Sequence, residues 1–163
     1  MFNNDPSELR KISTRTPKFS YNQPRVISGA GCVIKNEKGE FLLVLGKKKK
    51  LWSFPKGHIE NTESHVECAE RETFEETGLK IKITSEPKFY VHECVYYTCD
   101  LQKKDHVINV RDNKEIKKCQ WMSLDQISKM SYYKTNVHIK SYFNVIHDVL
   151  FHKQKQKIEI EVN

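Results

Sequence analysis

Apolar and polar positions alternate through the first half of the folded region in short blocks. Arg25 to Lys35 (RVISGAGCVIK) and Glu40 to Leu45 (EFLLVL) predict two strands joined by a turn over Asn36–Gly39. Gly46 to Lys50 (GKKKK) reads as a basic loop, and a short strand follows over Leu51 to Phe54 before Pro55-Lys56-Gly57 breaks the pattern. The period then lengthens to that of a helix. Ser64 with Glu67 three residues on has the form of a capping box, and Gly78 suits the position just past a helix C-terminus. Strands are predicted again over Leu79–Ile83, Lys88–Cys99, His106–Arg111 and Ile116–Met122, with a short helix over Leu124–Met130. Ile139, Phe143, Ile146 and Leu150 form a helical stripe across Val137–His152, so a helix packed on the sheet is expected there. Strands, one helix, more strands and a terminal helix make an α+β fold, since no regular βαβ alternation is present.

Size bounds this picture. A chain of 163 residues supplies one core of ordinary domain size. We expect a flexible N-terminal extension over 1–24, a folded domain over 25–155 and a tail over 156–163. The first 25 residues are polar and turn-rich and lack the apolar centre of a signal peptide. No apolar run approaches the roughly 20 residues of a membrane helix. Five cysteines, an odd number without a secretory signal, argue for a reducing compartment, and the cytoplasm is the expected location. Cys94 and Cys99 with His92 are a weak metal candidate. Small buried side chains on a strand are the better reading.

Charge changes the picture more. The formal net charge is +7, yet the stretch Glu60–Glu76 holds seven glutamates and a single arginine, Arg71. The rest of the chain therefore carries +13. Crowded carboxylates repel one another unless a cation neutralises them, while a basic surround attracts polyanions. A phosphate substrate held through a metal ion accounts for both halves. An exposed charged helix on a basic surface accounts for them too, so charge alone does not decide.

On a helix turning about 100° per residue, Glu72, Glu75 and Glu76 fall within an arc of roughly 100°. Val66, Ala69, Thr73 and Thr77 occupy another sector, the expected core side. Hard divalent cations such as Mg²⁺ take oxygen ligands and are commonly shared between carboxylates and substrate phosphates. Arg71, four residues from both Glu67 and Glu75, is placed to orient a carboxylate or to hold the helix against the preceding loop. Gly57, Glu63, Arg71-Glu72, Glu75-Glu76, Gly78 and Leu79 stand at the spacing of the Nudix signature, which this stretch resembles over its whole length. Thr73 is a departure, standing where that family usually has an aliphatic residue. The resemblance implies a Nudix fold, a mixed β-sheet sandwiched between helices. It also implies hydrolysis of a pyrophosphate in a nucleoside diphosphate derivative, with Mg²⁺ or Mn²⁺ on Glu72, Glu75 and Glu76, and Glu75 as one candidate base.

Flanking residues bear on the substrate. Trp52-Ser53-Phe54-Pro55-Lys56-Gly57 resembles the W-x-F-P-K-G stretch of mRNA-decapping catalytic subunits, and Lys114-Glu115-Ile116 followed by Trp121 is similar to a second stretch of that family. That resemblance makes Glu115 a second candidate base, carried on a loop. Lys56, Gly57, Trp52 and Lys48 become candidates for substrate binding. Trp52 is as much a core residue by type as a base-stacking one. Capped RNA is the expected partner, through basic segments at Lys47–Lys50 and Lys134–Lys157. Against it, the helical domain that precedes the Nudix domain in decapping enzymes has no counterpart in the sequence ahead of the first strand. Pro55-Lys56-Gly57-His58-Ile59-Glu60 and Arg71-Glu72-Thr73 look more like diadenosine tetraphosphate hydrolases. Diphosphoinositol polyphosphate hydrolases are a third relative by resemblance, and an RNA-binding module without turnover is the reading outside the enzyme class. The sequence leaves the oligomeric state open.

Overall fold

The computed structural model describes residues 19–20, 24–84, 88–101, 108–130 and 134–143. Residues 1–18 of the expected extension, 144–152 of the expected terminal helix and the whole expected tail lie outside that set. The described elements are β1 (Phe19–Ser20), β2 (Gly29–Lys35), β3 (Phe41–Gly46), β4 (Trp52–Ser53), β5 (Lys56–His58), α1 (His65–Thr77), β6 (Lys88–Val91), β7 (Cys94–Asp100), β8 (Ile116–Met122), α2 (Leu124–Ser128) and α3 (Val137–Ser141). All eight strands join one mixed sheet in the order β1-β6-β7-β2-β3-β4, with β5 added on β2 and β8 on β3. β2 runs parallel to β7 along its full length, and the other pairings are antiparallel.

The near-continuous apolar runs of β2 and β7 follow from burial on both faces. On one face Ala30, Cys32, Ile34, Val95 and Tyr97 pack against Cys68 and Ala69 of α1. On the other, Val33, Phe54, Phe89, Val91 and Tyr96 pack with Ile139 and Tyr142 of α3 and the residue after it. An α+β fold with helices on both faces is therefore what the chain adopts.

Five local expectations need correction. Leu79–Ile83 pairs with no strand: its apolar side chains pack under α1, and the Ile83 amide donates to Glu70 Oε1 at 2.7 Å. Lys88–Cys99 is two strands, because His92 adopts a left-handed conformation (φ 53°) and reverses the chain between β6 and β7. The described part of His106–Arg111, residues 108–111, is loop. Lys56–His58, read as part of a break, forms β5 beside β2. Phe19 and Ser20, placed in the extension, pair with Val91 and Tyr90. Cys94 is buried on β7, all five cysteines are free thiols, and no three His, Cys, Asp or Glu side chains among the described residues are grouped as a metal site. Among those residues no helix is long and apolar enough to cross a membrane.

Candidate active site

The site is built on α1, whose ends are fixed locally. Ser64 caps the N-terminus, its Oγ accepting from the Glu67 amide at 3.2 Å while Glu67 Oε2 accepts from the Ser64 amide at 2.7 Å. Gly78 ends the helix in the left-handed conformation (φ 76°) and donates its amide to Phe74 O. Ala69, Thr73 and Thr77 are buried beneath it, as the helical sector predicts, while Val66 of that sector is only partly buried and Cys68, outside it, is buried as well. The opposite sector carries Glu72, Glu75 and Glu76 toward the loop that precedes the helix.

That loop and β5 close over the carboxylates. A side chain at Gly57 would fall on the Glu72 carboxyl group, so glycine here leaves that carboxyl its place against β5. The Lys56 amide donates to Glu76 Oε2 at 3.0 Å. Arg71 ties the remaining acids together. Its Nε and Nη2 fork onto Glu63 at 3.0 and 2.7 Å, Nη1 reaches Glu72 Oε1 at 2.8 Å and Glu75 Oε2 at 3.2 Å, and Nη2 also donates to the His58 carbonyl at 3.0 Å. Arg71 thus bonds Glu75, one of its two i+4 neighbours, and reaches the preceding loop through Glu63 and the His58 carbonyl. An eight-residue separation gives no local signal for the pair of Arg71 with Glu63.

Burial sets the electrostatics. Glu76 is 6% exposed, and burial pushes its carboxyl up to about 8 against the opposing Lys56 hydrogen bond, with the charges of Glu72 and Glu115 adding to the rise. Glu72 is raised for the same first reason, with Glu75 and Glu115 contributing while Arg71 opposes. The Arg71 hydrogen bond holds Glu63 down to about 2. Burial outweighs the partners that Glu72 and Glu76 have, so their ionised forms are disfavoured in a way that a hard cation would relieve. In this arrangement the carboxylates do not converge on one point. Glu72 Oε2, Glu75 Oε1 and Glu76 Oε1 lie outside the hydrogen bonds named above, so the donor set fits a divalent ion shared with phosphate.

Glu115 comes to the same place from another part of the chain. The amides of Asn109, Arg111 and Asp112 donate to the Thr77 and Glu75 carbonyls at the end of α1, at 2.8, 3.0 and 2.8 Å. The helix's unpaired C-terminal carbonyls thus hold the loop that leads to Glu115. Arg111 lies over the Phe74 ring at 4.5 Å. Asp112 Oδ1 accepts from the Glu115 amide at 3.3 Å, and the Glu115 carbonyl accepts from the Lys47 amide at 2.8 Å. The Glu115 side chain is exposed, and its charge bears on both Glu72 and Glu76. Lys48 is exposed in the Lys47–Lys50 loop. Trp52 is a correction: it is 8% exposed in the core with Lys118 Nζ 5.3 Å from its ring centre, so it does not present a face for stacking on a base.

A mixed sheet carries a helix with three carboxylates clasped by an Arg–Glu fork, a set of acidic oxygens suited to a hard cation shared with phosphate. A family model of the NUDIX domain matches residues 26–144, and the chain belongs to the Nudix family. The human protein nucleoside diphosphate-linked moiety X motif 6 is 31% identical over 132 residues, covering 74% of this chain and 40% of that protein. The Caenorhabditis elegans m7GpppN-mRNA hydrolase dcap-2 is 32% identical over 131 residues, covering 73% of this chain and 17% of that one. The chain thus spans less than half the length of either. Among solved structures, an Ap4A hydrolase from C. elegans superposes with a TM-score of 0.56 at 23% identity, covering 76% of this chain and 98% of its own. MutT from Methanosarcina mazei superposes with a TM-score of 0.54 at 26% identity, covering 77% and 94%.

Proposed function

We propose that this chain is a pyrophosphohydrolase that cleaves the 5′ cap of RNA, releasing the capped nucleoside as a diphosphate and leaving a 5′-monophosphate on the RNA. The observation that carries this reading is the anchoring of the basic loop beside Glu115. Lys47 binds the Glu115 and Asn113 carbonyls through its amide and its ammonium, respectively. This leaves Lys48, Lys49 and Lys50 exposed beside Lys114 and Lys117, which are also exposed. A polyanion that continues beyond the cleaved bond meets this surface, whereas a compact substrate has no use for it. The likeness of Trp52–Gly57 and Lys114–Ile116 to decapping enzymes, and the 32% identity to dcap-2, support the same reading.

In this scheme Glu72, Glu75 and Glu76 hold Mg²⁺ or Mn²⁺. A bound ion supplies neutralisation of the phosphates and acidifies an attacking water. Arg71 keeps Glu72 and Glu75 turned toward the site, and Gly57 leaves room for Glu72. Lys56 and Lys48 hold phosphates. Glu115, exposed and outside the helix, takes the proton of the water, and Glu75 is the alternative base on the helix.

The test is a product screen with capped RNA, diadenosine polyphosphates and diphosphoinositols side by side at two salt concentrations. Capped RNA should give the nucleoside diphosphate, with KM rising steeply as salt is added. Rapid turnover of free dinucleoside polyphosphates with no product from capped RNA would overturn the substrate assignment.

A further inference from the structure

A second group of ionisable side chains lies on the sheet face opposite α1, and of these Lys56 also bears on the carboxylate site. The register places Gly31 between Lys56 on β5 and Tyr96 on β7, and Gly29 between His58 and Cys94. Residues two apart share a face of a strand, so Lys56, Cys94 and Tyr96 stand on one face across two positions that have no side chain. A Cβ at Gly31 would come within 2.6 Å of Lys56 Cβ, and one at Gly29 within 3.4 Å of Cys94 Sγ. The glycines therefore let these groups close in on one another.

α3 brings a histidine to the same face. The Asn136 amide donates to Trp52 O at 2.9 Å, and Asn136 Oδ1 accepts from the Ile139 amide at 3.0 Å, which fixes where the helix begins. His138 then meets Tyr96, with the phenol oxygen 2.5 Å from Nδ1 and the two rings at 89°. The His92 ring stands 6.0 Å from that of His138. Tyr96 is fully buried, so its single proton needs an acceptor. Nδ1 is a far better one than the Cys94 sulfur, the other group in reach. The phenol donating to Nδ1 puts the ring proton on Nε2. Among the described residues Nε2 has no hydrogen-bond partner, while the single buried and unpartnered side-chain N or O atom there is Thr73 Oγ1. Nε2–H is thus open to a ligand. Burial first, then the charge of Lys56 and the neighbouring His92, drops His138 to about 3, so the ring stays neutral at physiological pH.

We infer that His138, with its ring oriented by Tyr96, binds a phosphoryl oxygen of the substrate's polyphosphate chain together with Lys56. Lys56 links the two faces: its amide is bonded to Glu76, while its side chain bears on His138 and Cys94. The charge of that ammonium also bears on Glu76, so it faces the carboxylates as well as His138. The neutral Nε2–H adds a directed donor without placing a second positive charge against the first. The inference rests on a polyphosphate substrate, but not on its being capped RNA.

The experiment pairs His138→Leu with His138→Gln, whose amide nitrogen reaches the place of Nε2, and with Tyr96→Phe. Kinetics use whichever of capped RNA or diadenosine polyphosphate the enzyme turns over. His138→Leu should raise KM by about 10-fold or more with kcat within ~3-fold, and His138→Gln should recover most of the loss. Tyr96→Phe should fall between them, because the ring is then free to take the other tautomer. An unchanged KM in His138→Leu, or a Gln variant as impaired as the Leu variant, overturns the inference. Ring ¹⁵N spectra of the wild-type protein titrated with inorganic pyrophosphate provide a readout independent of turnover and of protein folding in the variants. The His138 Nε2 resonance should carry the proton and shift on binding, and a resonance that does not move overturns the inference. A shift with pyrophosphate alongside failure to cleave capped RNA would support this site while refuting the RNA assignment.

Discussion

Glu76 shows how one side chain is prepared for work and not for stability. It is buried at the junction of α1 and β5 with one backbone amide for a partner, an arrangement that costs the ionised form. Glu76→Gln keeps the shape and the Lys56 hydrogen bond and removes the charge, so cleavage should drop by about 100-fold or more while the far-ultraviolet spectrum stays the same. Gly57→Ala should fail differently. Its methyl group must displace the Glu72 carboxyl, so both the rate and the thermal midpoint should fall. Thr73 offers a change of opposite sign. Its Oγ1 is buried without a hydrogen-bond partner, and the neighbouring Cys32 thiol donates instead to the Ala69 carbonyl at 3.8 Å. Thr73→Val removes that unsatisfied group at nearly constant volume, so chemical denaturation should show a gain of about 1 kcal/mol.

Among the elements, the pairing of α1 with the loop over 109–115 decides whether Glu115 reaches the site. Gly78 lies at the hinge of that pairing: a Cβ there would stand 2.6 Å from the Asn109 carbonyl, and φ is 76°. Gly78→Ala should cost on the order of 1–2 kcal/mol and also lower kcat, since the loop must move away from the helix end. A variant that loses stability but keeps kcat would show that Glu115 is not the base. The caps of α1 were legible in the sequence because capping is local, with Ser64, Glu67 and Gly78 each speaking for its own turn. The carboxylate sector was legible for the same reason. The reversal at His92 was not, because no glycine, proline or asparagine marks it and a histidine carries the left-handed turn. Leu79–Ile83 has the composition of a strand but pairs with none among the described residues, and only tertiary contacts decide that. The parallel pairing of β2 with β7 and the fork from Arg71 to Glu63 join residues whose relation no short-range pattern encodes. Glu115 was reached through a resemblance, and what the structure adds is the set of backbone bonds that bring it to α1.

The whole molecule separates its charges, with seven glutamates gathered in residues 60–76, Glu76 alone of them buried, and a net +13 spread over the remainder of the chain. Without a cation this cluster works against folding, in a direction that pH reveals. Glu76 rises from the usual 4.5 in the unfolded chain to about 8 in the folded one, so between those values the folded state holds a proton that the unfolded state has released. The stabilisation is fully present below about 4.5 and is lost as pH rises through 8. The metal-free protein should therefore lose on the order of 3 kcal/mol between pH 5 and pH 8.5 from this group, and Glu76→Gln should flatten that decline. Mg²⁺ or Mn²⁺ binds the ionised carboxylates and so should raise the thermal midpoint more at pH 8 than at pH 5, by ~2–3 kcal/mol of added stability at about 100 times its dissociation constant. Thermal melts at both pH values, with EDTA or with excess metal, measure all of this directly. Equal metal stabilisation at pH 5 and pH 8, or none in the wild type, would place the ion somewhere other than on Glu76.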